Sequence, residues 1–154
     1  MVSWKEFAAA EPELAGIGEQ RLDEKGVLLV GTIRKDGTPR ISPVEPVFSR
    51  GELYLGMMWR SKKALDLLRD PRVLVHSIVL DKDATGGDFK VRGRAVEVTD
   101  DAERAQYSQD LLAKIGWAPE ESEGPYHLFK VDVEDVAFLT FGKEGMSLRQ
   151  WRAE

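Results

Sequence analysis

Arg60-Ser61-Lys62-Lys63 puts three cations where a strand hands over to a helix. A helix N-terminus carries about half a positive charge and several unpaired N–H groups, so each cation there costs on the order of 0.3–1 kcal/mol. An anion reverses that sign. Ser61 is a favourable N-cap, residues 64–68 are rich in helix formers, and Asp70-Pro71 stops the helix. With N–H groups and cations converging, a phosphate is the guest these residue types suit. The competing reading leaves Lys62 and Lys63 solvated beside Asp66 and Asp70.

Other reactive residues are few. There is no cysteine, which removes disulfide scaffolds, cysteine-rich zinc sites and thiol catalysis. His76, inside an apolar run, and His127, beside Tyr126, are each a proton donor, a haem ligand or a hydrogen-bonded packing residue; their spacing supports no two-histidine metal site. Glu45, flanked by Val44 and Pro46, could orient a substrate, repel an anionic one, or be an edge charge. Tyr54 and Trp59 read as packing or interface aromatics. No nucleophile constellation is present, so no side chain is assigned a catalytic role.

The elements that must position these groups follow from pattern. Ser3-Trp4-Lys5-Glu6 is a capping box for a first helix, and Pro12 opens a second that Gly26 ends. Residues 27–34 form a strand, Asp36-Gly37 a hairpin turn, and 41–48 the returning strand, followed by a turn into 52–58, which makes a three-stranded meander. Pro39, Pro43 and Pro46 cannot donate to a ladder, so the second strand belongs at an edge or opening. Its free backbone and the intervening Ser42, Val44 and Glu45 could read a planar heterocycle, or the prolines could simply protect the edge. The continuous apolar run 72–80 predicts a strand buried on both faces, and 89–98 another strand. Asp100 and Glu103 cap a helix to about residue 115, 117–125 is loop, and 126–133 and 136–141 are strands, with a short 148–152 segment behind them. Six or seven strands with inserted helices predict a mainly β (α+β) single domain over 1–154, an antiparallel barrel or curled sheet.

Composition sets the class. A chain of 154 residues, 42% hydrophobic and 32% charged, is an ordinary globular protein. Its net charge of -5 argues against a general nucleic-acid binder. No signal-peptide core or membrane-length apolar run occurs, so no membrane partner and a cytoplasmic location are expected.

An ordered set of segments carries a family resemblance. Gly31-Thr32-Ile33-Arg34-Lys35-Asp36-Gly37-Thr38-Pro39-Arg40-Ile41-Ser42-Pro43-Val44 is followed by Gly51-Glu52-Leu53-Tyr54-Leu55-Gly56 and by Ser61-Lys62-Lys63-Ala64-Leu65-Asp66-Leu67-Leu68-Arg69-Asp70-Pro71-Arg72-Val73. Together with Phe89-Lys90-Val91-Arg92-Gly93-Arg94-Ala95, this resembles the pyridoxamine 5'-phosphate oxidase-like split-barrel family. The resemblance implies an antiparallel split β-barrel homodimer that binds FMN, or in some branches the deazaflavin coenzyme F420, across the subunit interface. It implies that Arg60, Ser61, Lys62 and Lys63 hold the cofactor phosphate, that Ser42, Pro43 and Val44 lie along the ring system, and that Met57 and Met58 lie near the ribityl chain. Trp151 and Arg152 resemble a C-terminal pair that some members contribute from the second subunit. Residues 148–154 lack the arginine-rich substrate-binding tail of pyridoxamine phosphate oxidase itself, so a different small-molecule substrate is expected.

The expected function is an FMN-dependent oxidoreductase moving hydride to or from a small organic substrate. The alternatives are a coenzyme F420-dependent reductase and a non-catalytic flavin store or sensor. The deazaflavin's polyanionic tail would need a basic groove, for which Lys5, Arg21, Lys25, Arg34, Lys90, Arg92 and Arg94 are the candidates. The net charge favours FMN. The apolar strands 126–133 and 136–141 carry more hydrophobic surface than a chain this short hides alone, again implying a dimer.

Overall fold

The computed structural model describes residues 1–122 and 124–154. Helices α1 (Trp4–Ala10) and α2 (Pro12–Asp23) open the chain. The Ser3–Glu6 capping box starts the first, and Pro12 sits in the first turn of the second. Strands β1 (Leu28–Ile33), β2 (Pro39–Val44), β3 (Pro46–Ser49) and β4 (Glu52–Met58) lead to helix α3 (Lys62–Arg69). After it come β5 (Arg72–His76), β6 (Asp88–Glu97), helix α4 (Asp101–Ile115), a 3-10 turn Pro119–Glu121, β7 (Tyr126–Gly142) and β8 (Gly145–Arg152).

The eight strands form one antiparallel sheet in the order β2-β1-β5-β6-β7-β4-β3, with β8 paired to β7. Its two edge strands, β2 and β3, are consecutive in the chain and separated by Glu45 alone. A sheet whose first and last strands are joined through one residue has to curl, and the result is a split barrel that does not close. The expected meander is therefore corrected. The second strand divides at Glu45, its first half pairing with β1 and its second with β4. Pro46 cannot donate a ladder hydrogen bond, which favours the change of partner at this point.

Three further expectations change. The run 72–80 is strand only over Arg72–His76 and buries one face, with Val73 and Val75 inside and Leu74 outside. Residues 126–141 are one strand, because a bulge opposite the step between Arg92 and Gly93 accommodates Glu134 without ending the ladder. The last strand starts at Gly145, closing a tight hairpin with β7. Inside the curl lies a core built on Trp4, Phe7, Leu22, Leu28, Phe89 and Phe129. On the outer face of β3, β4 and β7, helix α4 covers a second cluster that includes Val47, Tyr54, Tyr107, Leu111 and Leu128. Among the described residues no helix is long and apolar enough to cross a membrane.

Candidate functional site

Helix α3 is anchored by its own buried acid. Asp66 is 3% exposed and accepts hydrogen bonds from Thr32 Oγ1 (2.8 Å), Arg40 Nε (2.7 Å) and Arg69 Nη2 (3.1 Å). Burial pushes the Asp66 carboxyl up, but the hydrogen bonds from Arg40, Thr32 and Arg69 outweigh it, holding the group below its ordinary value. This ties α3 to β1 and β2. Asp70 pairs instead with Arg72 at 2.6 Å.

These pairings correct one part of the solvated-lysine reading, the acids beside the lysines, while Lys62 itself is exposed. Asp66 points inward to Arg40 and Asp70 goes to Arg72, so neither neutralises Lys62 or Lys63. Among the described residues, no carboxylate forms an ion pair with Arg60, Lys62 or Lys63. Ser61 has N-cap backbone geometry but makes no capping hydrogen bond, contrary to expectation, and its buried Oγ has no partner. Arg60 sits at φ 55, in the left-handed region that costs a non-glycine residue about 1–2 kcal/mol. A strained arginine, an orphaned hydroxyl and two unpaired lysines at one helix start fit a phosphate group.

The Glu45 corner brings the other expected groups to the same end of the barrel. Pro46 pairs with Leu55, so Val44 and Ser42 diverge from β4 beside Met57 and Met58, and β2 touches β4 there. The free edge of β2 is where the prolines predicted an edge. Side-chain directions divide the expected residues. Val44 and Met57 are buried in the core and can offer a ligand only their main chain. Pro43 and Met58 are exposed and Ser42 is half-buried. Trp151 packs on Phe7 with ring centroids 4.9 Å apart, and Arg152 lies 3.9 Å from Asp135. Met58 is opposite Tyr126 on β7 whereas Trp151 is opposite Val136. At about 3.3 Å per strand residue that separation is roughly 30 Å, so this pair does not join Arg60 and Ser61 within one chain.

The histidines play structural parts. His76 Nδ1 contacts the Ser77 carbonyl at 2.6 Å. His127 is buried and stacked under Trp59, centroids 4.4 Å apart, with Nε2 unpartnered. Burial lowers its pKa; Glu97 opposes and Arg104 reinforces the shift. Tyr54 is a packing residue that donates to Glu103 at 2.7 Å. Among the described residues no cluster of potential ligands could hold a metal ion. Sequence reasoning missed the Thr32–Arg40–Asp66 anchor, although an acid between Leu65 and Leu67 on a short helix was a signal. It also missed the pairing of Trp59 with His127, which lie far apart in sequence and carried no local signal.

This chain belongs to the pyridoxamine 5'-phosphate oxidase family: residues 19–140 match the family model. No curated protein matches the sequence. Among solved structures, a putative pyridoxamine 5'-phosphate oxidase from Listeria innocua is similar with a TM-score of 0.65 at 16% identity, covering 84% of this chain and 97% of that one. A haem binding protein from Mycobacterium smegmatis has a TM-score of 0.62 at 18% identity over 86% of this chain; the match spans only 57% of that longer protein. An F420 reductase has a TM-score of 0.57 at 20% identity, covering 77% of this chain and 94% of that one.

Proposed function

We propose that this protein is a flavin-dependent oxidoreductase that binds FMN at a homodimer interface and moves hydride to or from a small organic substrate. The observation that carries the reading is the start of α3, where Ser61, whose buried hydroxyl has no partner, is flanked in sequence by Arg60, Lys62 and Lys63, none of them in an ion pair among the described residues. The bound flavin would supply the hydride chemistry. Arg60, Lys62 and Lys63 neutralise its phosphate, Ser61 and the first N–H groups of α3 hydrogen-bond it, and the open edge of β2 at Ser42 and Pro43 faces the ring.

FMN is preferred over coenzyme F420 because a net charge of -5 disfavours a polyanionic tail, although only some of the candidate groove cations are paired. Lys90 pairs with Asp88, Arg92 with Asp135, and Arg21 with Glu24. Lys5, Lys25, Arg34 and Arg94 form no ion pair among the described residues, so the preference for FMN rests on the net charge and not on these pairings. A non-catalytic flavin carrier would use the same site, and a cytoplasmic setting suits either role.

Dimerisation is supported by the outer face of β2, β1 and β5, where Ile41, Gly31 and Leu74 are in register across three strands. Ile41 is 71% and Leu74 43% exposed, and Pro43 lies on the same face. The apolar surface expected on residues 126–141 is instead largely buried within the chain, Leu128, Phe129, Val131, Val133 and Val136 being core. A second subunit on the β2 face would border Ser42 and Pro43, and only a second subunit could bring Trp151 and Arg152 to the cofactor.

Titration of the ligand-free protein with FMN and with coenzyme F420 at matched ionic strength tests the cofactor. FMN should bind more tightly, and a tenfold preference for the deazaflavin, about 1.4 kcal/mol, would reverse the assignment. Steady-state oxidation of a reduced nicotinamide by the FMN-loaded protein separates enzyme from carrier.

A further inference from the structure

A cavity of about 530 Å³ lies at the end of the α4 cluster, on the opposite side of β4 from the main core. Its walls include Glu45, Trp59, Tyr107, Ile115, Trp117 and Tyr126. It adjoins the proposed flavin site without being part of the phosphate cradle: Met57, Met58 and Trp59 form one wall and run directly into Arg60, and Glu45 follows Val44. We propose that this cavity is the substrate pocket and that it takes an apolar or aromatic organic cation, a molecule carrying one protonated amine, and rejects carboxylates and phosphates. The word substrate rests on the flavin reading; the ligand class does not.

The charge of the walls decides the class. Glu45 is the only charged residue among the described residues lining the cavity. Two nearby cations are committed elsewhere, and Arg60, next after Trp59, is not among the lining residues. Arg104 lies over the Tyr126 ring at 4.2 Å and donates to the carbonyls of Val98 and Tyr126. Lys114 reaches the Pro46 carbonyl beside Glu45 but is paired with Asp23. An anion in the cavity would meet the Glu45 carboxylate with no cation among the described lining residues, whereas an ammonium would gain Glu45 and an aromatic surround.

The remaining walls fit an apolar body. The volume falls in the usual range for small-molecule sites. The Tyr107 phenol lies over Gly56, where any side chain would collide with its hydroxyl, so glycine at this point of β4 lets the ring form the wall. Burial first, then Tyr126 and Glu45, raise the Tyr107 pKa, so the phenol stays protonated and available as a donor.

Isothermal titration calorimetry at pH 7 with 1-naphthylmethylamine, 1-naphthylmethanol and 1-naphthoate tests the proposal, since the three share a ring and differ in charge. The amine should bind at least tenfold more tightly than the carboxylate, with the alcohol between them. Glu45→Gln should weaken the amine at least fivefold and leave the alcohol within twofold. Ile115→Trp, filling the cavity from the exposed side of α4, should weaken all three. Equal or tighter carboxylate binding, an amine affinity indifferent to Glu45, or no binding of any probe would overturn the ligand class. In the FMN-loaded protein, saturating amine should shift the visible flavin band; a band that does not move overturns the substrate role. If FMN fails to bind while the Glu45-dependent amine preference persists, the flavin reading falls and the cation site stands.

Discussion

Arg60 combines two costs, a left-handed backbone and a cation at a helix start, and both are offset only if an anion binds there. Lys62→Ala or Arg60→Ala should therefore weaken FMN binding by about 1.5–3 kcal/mol, the range of charge-assisted hydrogen bonds, as read by flavin fluorescence quenching. Without ligand the same variants should melt at an equal or slightly higher temperature, because repulsion with the helix dipole is relieved. Unchanged binding in both would remove the phosphate assignment. Asp66 behaves oppositely, as a group whose charge stabilises the fold. Its folded pKa is depressed, so its contribution is present above the unfolded carboxylate value of about 3.9 and is lost as the pH falls below it. Asp66→Asn should cost about 2 kcal/mol at pH 7, because one neutral amide oxygen replaces two charged acceptors for Thr32, Arg40 and Arg69, and the gap to the parent should narrow below pH 4 in denaturant titrations.

Among the elements, β7 carries most of the architecture. One of its edges pairs with β6 from Phe129 to Leu139, while the other is shared in sequence by β4, by a single bridge from Val2 at Val133, and by β8. The bulge at Glu134 lies between the Val2 bridge and the C-terminal end of β8, bending the strand where its partner changes. Gly93 faces that bulge, and a Cβ there would run into the Asp132 carbonyl, a backbone atom that cannot step aside. Gly93→Ala should thus destabilise by about 2–3 kcal/mol, lowering the melting temperature by roughly 6 °C in calorimetry. Gly56→Ala meets the phenol end of the buried Tyr107 rather than backbone, so relief requires a shift of that ring, and the variant should show itself both as a loss of about 1–3 kcal/mol and as altered ligand binding in the α4 cavity.

At the scale of the molecule, the apolar face of β2, β1 and β5 is continuous with the edge that carries Ser42 and Pro43. Covering that face with a second copy should bury well over roughly 1,000 Å² and produce a dimer at micromolar concentration in sedimentation velocity. Ile41→Glu together with Leu74→Glu should yield a folded monomer, and FMN affinity should fall with it even though the α3 cradle is untouched. A monomer in the parent protein with FMN present would contradict the shared site.

Local chemistry was legible from the chain alone: the capping boxes, the Asp36-Gly37 turn, the proline-marked edge, and the mismatch of cations with a helix start all depend on residues within a few positions of one another. The family resemblance placed the same residues at the phosphate. The partners of distant groups were not legible. Whether Asp66 faced Lys62 or Arg40 was decided by how α3 lies on β1 and β2, and whether residues 39–49 made one strand or two was decided by the curl that seats β2 and β3 at opposite edges of one sheet. The α4 cavity joins Glu45 to Trp117 across that curl. Propensity and capping are short-range terms written in sequence order, whereas pairing and burial depend on which surfaces meet, and only the folded chain determines that.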